Sequence, residues 1–166
     1  MNKQLSCGHS AEKPYPRRCA ACGEIAVSKQ FIQYDAEVRH DGKLYSFPIT
    51  NLRIDQCQKC REQYFTNATS EQINLELRRY LGLLLPEEIR SGLEQLGLTQ
   101  LAFSKQLGVA AETVSRWLSG SVIQTKSLDK FMRLYFSLPS VRAALSAPEM
   151  PSSTKSVAGA GQNDQL

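Results

Sequence analysis

Four of the five cysteines of this 166-residue chain fall in two matched pairs, Cys19-Ala-Ala-Cys22 and Cys57-Gln-Lys-Cys60. A Cys-x-x-Cys unit sets two sulfurs at the mouth of a tight turn. Two such turns brought together make the tetrahedral four-thiolate shell that Zn²⁺ favours, so the pairs predict one structural zinc ion per chain on Cys19, Cys22, Cys57 and Cys60. Cys7 and His9 complicate the count, because Cys7-x-His9 with Cys19 and Cys22 would also supply four ligands. The like spacing of the two pairs favours the all-cysteine set. A shell of four thiolates is closed and has no open position for substrate, and neither Cys-x-x-Cys lies in the βαβ context of a dithiol redox enzyme; the chain therefore reads as a non-enzyme.

A second chemistry lies in Leu98–Gly120, LTQLAFSKQLGVAAETVSRWLSG. Thr99 can cap a helix through its hydroxyl, Phe103 and Leu107 share one face, and Gly108 stands where a helix ends in a left-handed turn. After Val109 and Ala110 a second helix places Val114, Trp117 and Leu118 on one stripe and Glu112, Thr113 and Arg116 on the other. This is the pattern of a helix-turn-helix, whose second helix offers its outward stripe to base edges in the major groove. The residues predicted to touch DNA are Gln100, Glu112, Thr113, Ser115 and Arg116. Arg116 can make two parallel hydrogen bonds to guanine, and Glu112 can accept from cytosine or hold the guanidinium. Ser104, small enough for the helix crossing, is expected to bond back to the carbonyl of Gln100. The plainer reading is a helical hairpin with Trp117 as a core anchor; the polar outward stripe favours DNA.

These sites need scaffolds. Between the cysteine pairs, Phe31–His40 alternates, Asp41-Gly42 is a strong two-residue hairpin turn, and Lys43–Ile49 returns. That register sets Val38 opposite Tyr45, Ala36 opposite Phe47 and Tyr34 opposite Ile49, all apolar, whereas a slip of one residue would oppose each to a polar neighbour. A separate short strand, Leu52–Gln56, is expected to lead into the second pair, and His40 is expected to be solvated. Ser70–Leu85 reads as a linking helix capped by Ser70 or Thr69, with Ile73, Leu77, Tyr80, Leu81 and Leu84 on its apolar stripe. Pro86 starts the next helix, carrying Ile89, Leu93 and Leu96 and closed by Gly97. Thr125 or Ser127 starts another, with Leu128, Phe131, Met132, Tyr135 and Phe136, and a short helix begins at Pro139. The apolar surface of Phe131, Tyr135 and Phe136 exceeds what one small bundle hides, and with Val141 and Leu145 it predicts a homodimer through the C-terminal helices.

The fold class expected is thus α+β: a small zinc-bound antiparallel β-sheet domain (1–66), a linking helix (67–85), an all-α helix-turn-helix domain for DNA binding and dimerisation (86–146), and a disordered Pro-, Ser- and Gly-rich tail (147–166). A formal charge of +4 permits a nucleic-acid partner without demanding one. The sequence has no apolar run long enough to span a bilayer and no secretory signal, which predicts a cytoplasmic protein with no membrane partner.

In this arrangement the chain resembles the MqsA family of zinc-finger antitoxins, with a YgiT-type zinc domain in front of an Xre-like helix-turn-helix. The resemblance covers about residues 19–145 and rests on Cys19-Ala-Ala-Cys22-Gly23, Cys57-Gln-Lys-Cys60, Pro86-Glu-Glu-Ile-Arg90, and Leu107-Gly-Val109 through Thr113-Val-Ser-Arg-Trp117. It implies a homodimeric repressor that binds a palindromic operator in double-stranded DNA through the C-terminal domain and an RNase toxin through the zinc domain, with Glu112 and Arg116 at the base-reading positions. The chain departs from the family pattern at Arg61, where glycine is usual in the second knuckle, at Leu118, where glutamate is frequent, and in the additional Cys7-Gly-His9.

Overall fold

The computed structural model describes residues 14–146. Cys7, His9 and the tail from residue 147 lie outside the described residues. The order is four strands then six helices: β1 (Arg17–Arg18), β2 (Ile25–His40), β3 (Lys43–Cys57), β4 (Gln63–Tyr64), α1 (Asn67–Leu81), α2 (Pro86–Gln95), α3 (Gln100–Leu107), α4 (Ala111–Ser119), α5 (Lys126–Ser137) and α6 (Pro139–Ser146). The fold is α+β, an antiparallel sheet in the order β1-β2-β3-β4 followed by helices.

The hairpin turns at Asp41 and Gly42, both with positive φ, as a type I′ turn requires. Val38 pairs with Tyr45, Ala36 with Phe47 and Tyr34 with Ile49, the register the alternation predicts. The strands are longer than expected: the segment Leu52–Gln56 is no separate strand but the continuation of β3. A register shift between Ile32 and Tyr34 is the reason. Two residues of β3, Thr50 and Asn51, oppose the single Gln33, so Ile49 and Leu52 face the same core although they are three apart. The bulge hides one strand as two by breaking the period of two.

One face of this ribbon must be buried, and α1 buries it. Leu77 sits in the cluster of Ala36, Phe47, Ile49, Leu52 and Ile54, with Ile73 and Leu81 packed beside it. Tyr80, expected on the apolar stripe, is largely exposed and stacks its ring on Phe47, 5.3 Å between centroids. Leu84 belongs to the other, helical core. The helix starts earlier than the cap residues Ser70 and Thr69 suggest. Thr66 is the N-cap: its hydroxyl accepts from the Thr69 amide, and Thr69 Oγ1 accepts from the Thr66 amide in return. The helix ends at left-handed Gly82, short of Leu85. Its side chains also finish the outer edge of β3, where the Arg53 amide donates to Gln72 Oε1 (2.9 Å), Gln72 Nε2 donates to the Asn51 carbonyl (2.7 Å) and Thr69 Oγ1 donates to the Arg53 carbonyl (2.8 Å). A side-chain amide here does the work of a fifth strand at the bulge, where the edge would otherwise stand open.

The helical core gathers Leu84, Ile89, Leu93, Phe103, Leu107, Val114, Trp117, Leu118, Met132 and Tyr135. Thr99 caps α3 as expected, and of the two candidates for α5, Thr125 or Ser127, the cap is Thr125. The rings of Phe131, Tyr135 and Phe136 are not spare surface: Tyr135 is fully buried and donates its hydroxyl proton to Gln106 Oε1, and Phe136 stacks on Phe103 and lies against Gly92. Gly92, which has no Cβ, gives that ring its room. The exposed apolar side chains of α5 and its end are Leu134 and Leu138 instead. His40, expected in solvent, is half-buried, and its Nε2 has no hydrogen-bond partner.

Because the Thr66 hydroxyl satisfies a helix-end amide, Thr66→Ala is expected to cost about 1 kcal/mol in urea unfolding. Ser70→Ala, at the cap position the sequence suggests, is expected to stay within about 0.5 kcal/mol of wild type.

Candidate metal centre and nucleic-acid interface

The two cysteine turns close in the same way. At the first, the Cys19 amide donates to the Glu24 carbonyl (2.7 Å) and the Gly23 amide to the Cys19 carbonyl (3.0 Å); at the second, Cys57 and Arg61 make the corresponding bonds to Glu62 and Cys57 (2.9 and 3.0 Å). The left-handed residue is Gly23 in one and Arg61 in the other, with φ of 80° and 65°. Arginine thus keeps the turn that glycine would make, at a steric cost of about 1–2 kcal/mol for a side chain in that region. The pairing of Val27 with Cys57, at the end of the ribbon away from its turn, carries the second pair back to the first.

The four sulfurs of Cys19, Cys22, Cys57 and Cys60 lie within 4.8 Å of one another. Cys19 Sγ is 3.5 Å from Cys60 Sγ, and Cys22 Sγ is 3.7 Å from Cys57 Sγ. A regular tetrahedron with metal–sulfur bonds of about 2.3 Å has edges of about 3.8 Å, so this donor set fits a metal ion of the size and softness of zinc. The electrostatics agree. Tyr64 and the Cys22 amide hydrogen-bond to Cys19 and hold its thiol down at about 6. Cys60, despite the lowering bond from the Glu62 amide, is pushed up to about 12 by desolvation and by the sulfurs of Cys19, Cys22 and Cys57. Four thiols this close do not all ionise without a cation among them.

Tyr64 is a member of this site that the cysteine spacing could not reveal. Its phenol oxygen is 3.1 Å from Cys19 Sγ and accepts from the amides of Ala20 and Ala21 (3.1 and 3.4 Å). With both amides on the oxygen, its proton is directed to the sulfur. The short strand β4 brings it there by pairing Tyr64 with Asp55 behind the second knuckle.

In the helical half, α3 and α4 form the expected hairpin. Gly108 is left-handed, and its amide and that of Val109 return to the last turn of α3. Ser104 is buried and fits the crossing, but its hydroxyl donates to the Leu101 carbonyl (3.0 Å) rather than to that of Gln100. Val114, Trp117 and Leu118 of α4 are buried; Leu118, where the resemblance suggests glutamate, packs in the core. Glu112, Ser115 and Arg116 are exposed on the opposite side, Gln100 is exposed at the start of α3, and Thr113 is half-buried. No bond in α4 occupies the Arg116 guanidinium among the described residues, while its carbonyl accepts from Ser119 and Ser121. The C-terminal end of α4 is held by arginines from outside the motif: Arg90 of α2 donates to the Leu118 carbonyl (3.1 Å), and Arg78 of α1 reaches three further carbonyls.

A helix-turn-helix family model matches residues 89–136, from within α2 to near the end of α5. Among curated proteins none matches the chain. Among the described residues no helix is long and apolar enough to cross a membrane.

Tyr64→Phe removes the proton donated to Cys19 while keeping the ring. It is expected to weaken metal binding about tenfold, the scale of lost outer hydrogen bonds, in competition titrations against a chromophoric chelator, with the fold retained in circular dichroism.

Proposed function

We propose that the chain is a sequence-specific transcriptional regulator that reads double-stranded DNA through α4 and is held in shape at its other end by one zinc ion on Cys19, Cys22, Cys57 and Cys60. The observation that carries this reading is the division of α4. Its apolar stripe is sealed in the core, while Glu112, Ser115 and Arg116 stand in solvent on a short helix within a matched helix-turn-helix. Gln100, at the N-terminus of α3, is positioned to touch a phosphate beside the groove, and Thr113 to flank the reading stripe. The metal supplies closure alone: four sulfurs fill the shell, and the ribbon gains a covalent-strength staple at the end farthest from its turn.

The operator is a palindrome in this reading, bound by a homodimer whose two recognition helices enter successive major grooves about 34 Å apart. The support is the exposed pair Leu134 and Leu138 at the end of α5, since the rings of Phe131, Tyr135 and Phe136 pack inward. The resemblance to MqsA-type antitoxins supports repression of the chain's own operon and an RNase toxin bound at the sheet half. A small protein encoded beside the gene, co-purifying with the full chain, is the expected result; a regulator without a toxin would retain DNA binding and co-purify with nothing.

Two measurements test the core of this function. Metal analysis is expected to find one zinc per chain, lost when Cys57 is changed to Ser. Arg116→Ala is expected to cost about 1–3 kcal/mol in binding and to flatten the preference at one position of each half-site. If the variant keeps the wild-type ranking of singly substituted sites and instead lowers the salt slope by about one, Arg116 contacts phosphate.

A further inference from the structure

Arg78 is fully buried, yet among the described residues no carboxylate hydrogen-bonds to its guanidinium. Its donors go to Val122 O (2.5 Å), Gln124 Oε1 (3.3 Å), Gly120 O (3.4 Å) and Trp117 O (3.5 Å). Trp117 lies on the apolar stripe in the last turn of α4, Gly120 is the C-cap of that helix, and Val122 and Gln124 belong to the segment that leaves it. The end of α4 is where unpaired carbonyls and the negative pole of the helix dipole gather, and a buried cation is stabilised there without a carboxylate. Desolvation pulls the Arg78 pKa below its ordinary value, with the Glu87 charge opposing; a guanidinium remains charged.

Arg78 does not belong to the helix-turn-helix. It lies on α1, whose preceding residue, Leu77, is buried in the sheet core. Neighbouring contacts follow the same seam. Asn74 Nδ2 donates to Ser121 O (3.2 Å), Ile123 packs against the sheet cluster, and Asp41 at the hairpin turn accepts from the Lys126 amide at the start of α5 (2.8 Å). The segment between α4 and α5 is therefore fastened to the sheet half from several directions, with Arg78 at its centre.

We infer that Arg78 is a positioning residue for DNA binding: it fixes the end of the recognition helix to the sheet half, so that the packing of the sheet is felt in DNA affinity. The inference rests on the DNA-reading role of α4. Its logic is geometric, since a reading helix must hold its side chains within about half an ångström of productive placement, and α4, at nine residues, is too short to be rigid alone. Arginine is needed because only a planar fork spans several carbonyls at once; lysine offers one compact charge.

The test uses the full zinc-loaded chain and a duplex that wild type recovers from a random-sequence pool. Failure to recover any duplex sinks the DNA reading itself, before Arg78 is examined. With a duplex in hand, Arg78→Gln is expected to bind about tenfold more weakly at the same salt, with zinc content and helix content unchanged, and Arg78→Lys to fall between. Unchanged affinity in a folded Arg78→Gln overturns the inference. A second arm separates positioning from a general loss of stability. Ile54→Val trims the buried sheet core away from α4 and is expected to weaken DNA binding in the wild-type background but hardly at all once Arg78 is Gln, because the connection is already cut. Equal losses in both backgrounds, or none in either, show that sheet and recognition helix are not joined through Arg78. Should Arg78→Gln fail to fold, the same cycle is run with Arg78→Lys, and equal losses again overturn the inference.

Discussion

Leu77 and Arg78 are consecutive residues of one helix, both fully buried, and they are buried in different halves of the molecule. Leu77 fills the sheet core; Arg78 fills the space beneath the recognition helix. Consecutive residues point about 100° apart around a helix, so α1 must run along the seam with one flank in each half. A helix pinned on both flanks can neither roll nor slide without opening one core. The sheet depends on it because a hairpin ribbon with one apolar face cannot stand alone in water, and the end of α4 depends on it because Arg78 and Asn74 donate to carbonyls there, alongside Arg90 of α2 at Leu118. Arg133 and Asp129 extend the constraint. Asp129 accepts from the Leu84 amide and from Gln124, and Arg133 donates to Asp129 and to the Gly82 carbonyl, so the exit of α1 is tied down as firmly as its flanks.

The two ends of the ribbon are secured by different physics. At the turn, Asp41 takes the left-handed conformation that the type I′ geometry demands, and its carboxylate accepts from the first amide of α5, that of Lys126, a favourable place for a negative charge. At the open end, the apolar cluster among the described residues is Cys19, Val27 and Cys57, flanked by Ala26 and Tyr64. A cluster of four cysteines able to hold a metal ion stands where the chain is too thin to make a core.

How far the sequence reveals this depends on the range of each interaction. The hairpin register, the caps at Thr99 and Thr125, the left-handed glycines and the inner stripe of α4 are set by neighbours a few residues away, and type and spacing suffice for them. The cysteine cluster was also legible, because ligand chemistry restricts which residues can meet. The bulge at Thr50–Asn51 was not, since it shifts the phase of the alternation and imitates a break between two strands. By apolar count alone Tyr135 and Phe136 are surplus surface, because a count says nothing of how rings nest; Gly92 and Phe103 provide the nest. Arg78 was the least visible of all. A basic residue in the last turn of a helix ordinarily complements the dipole in solvent, as Arg79 beside it does while pairing with Glu76 at 2.6 Å. Only the tertiary arrangement distinguishes the two.

That arrangement also limits how the halves can communicate. If a partner bound to the sheet alters DNA affinity, the partner and the DNA must each favour the same change in the α1 seam, and by linkage each alters the affinity of the other by the same factor. Beside the apolar packing of Ile123 on the sheet cluster, the seam is held by hydrogen bonds of guanidinium, amide, carboxylate and carbonyl groups at Arg78, Asn74 and Asp41. Such contacts are made or lost over a fraction of an ångström, whereas apolar packing of the kind that holds Ile123 yields gradually. A small displacement of α1 on the sheet is therefore converted at Arg78 into loss of several hydrogen bonds at the end of α4, and the helix that bears Glu112 and Arg116 is the element that registers it.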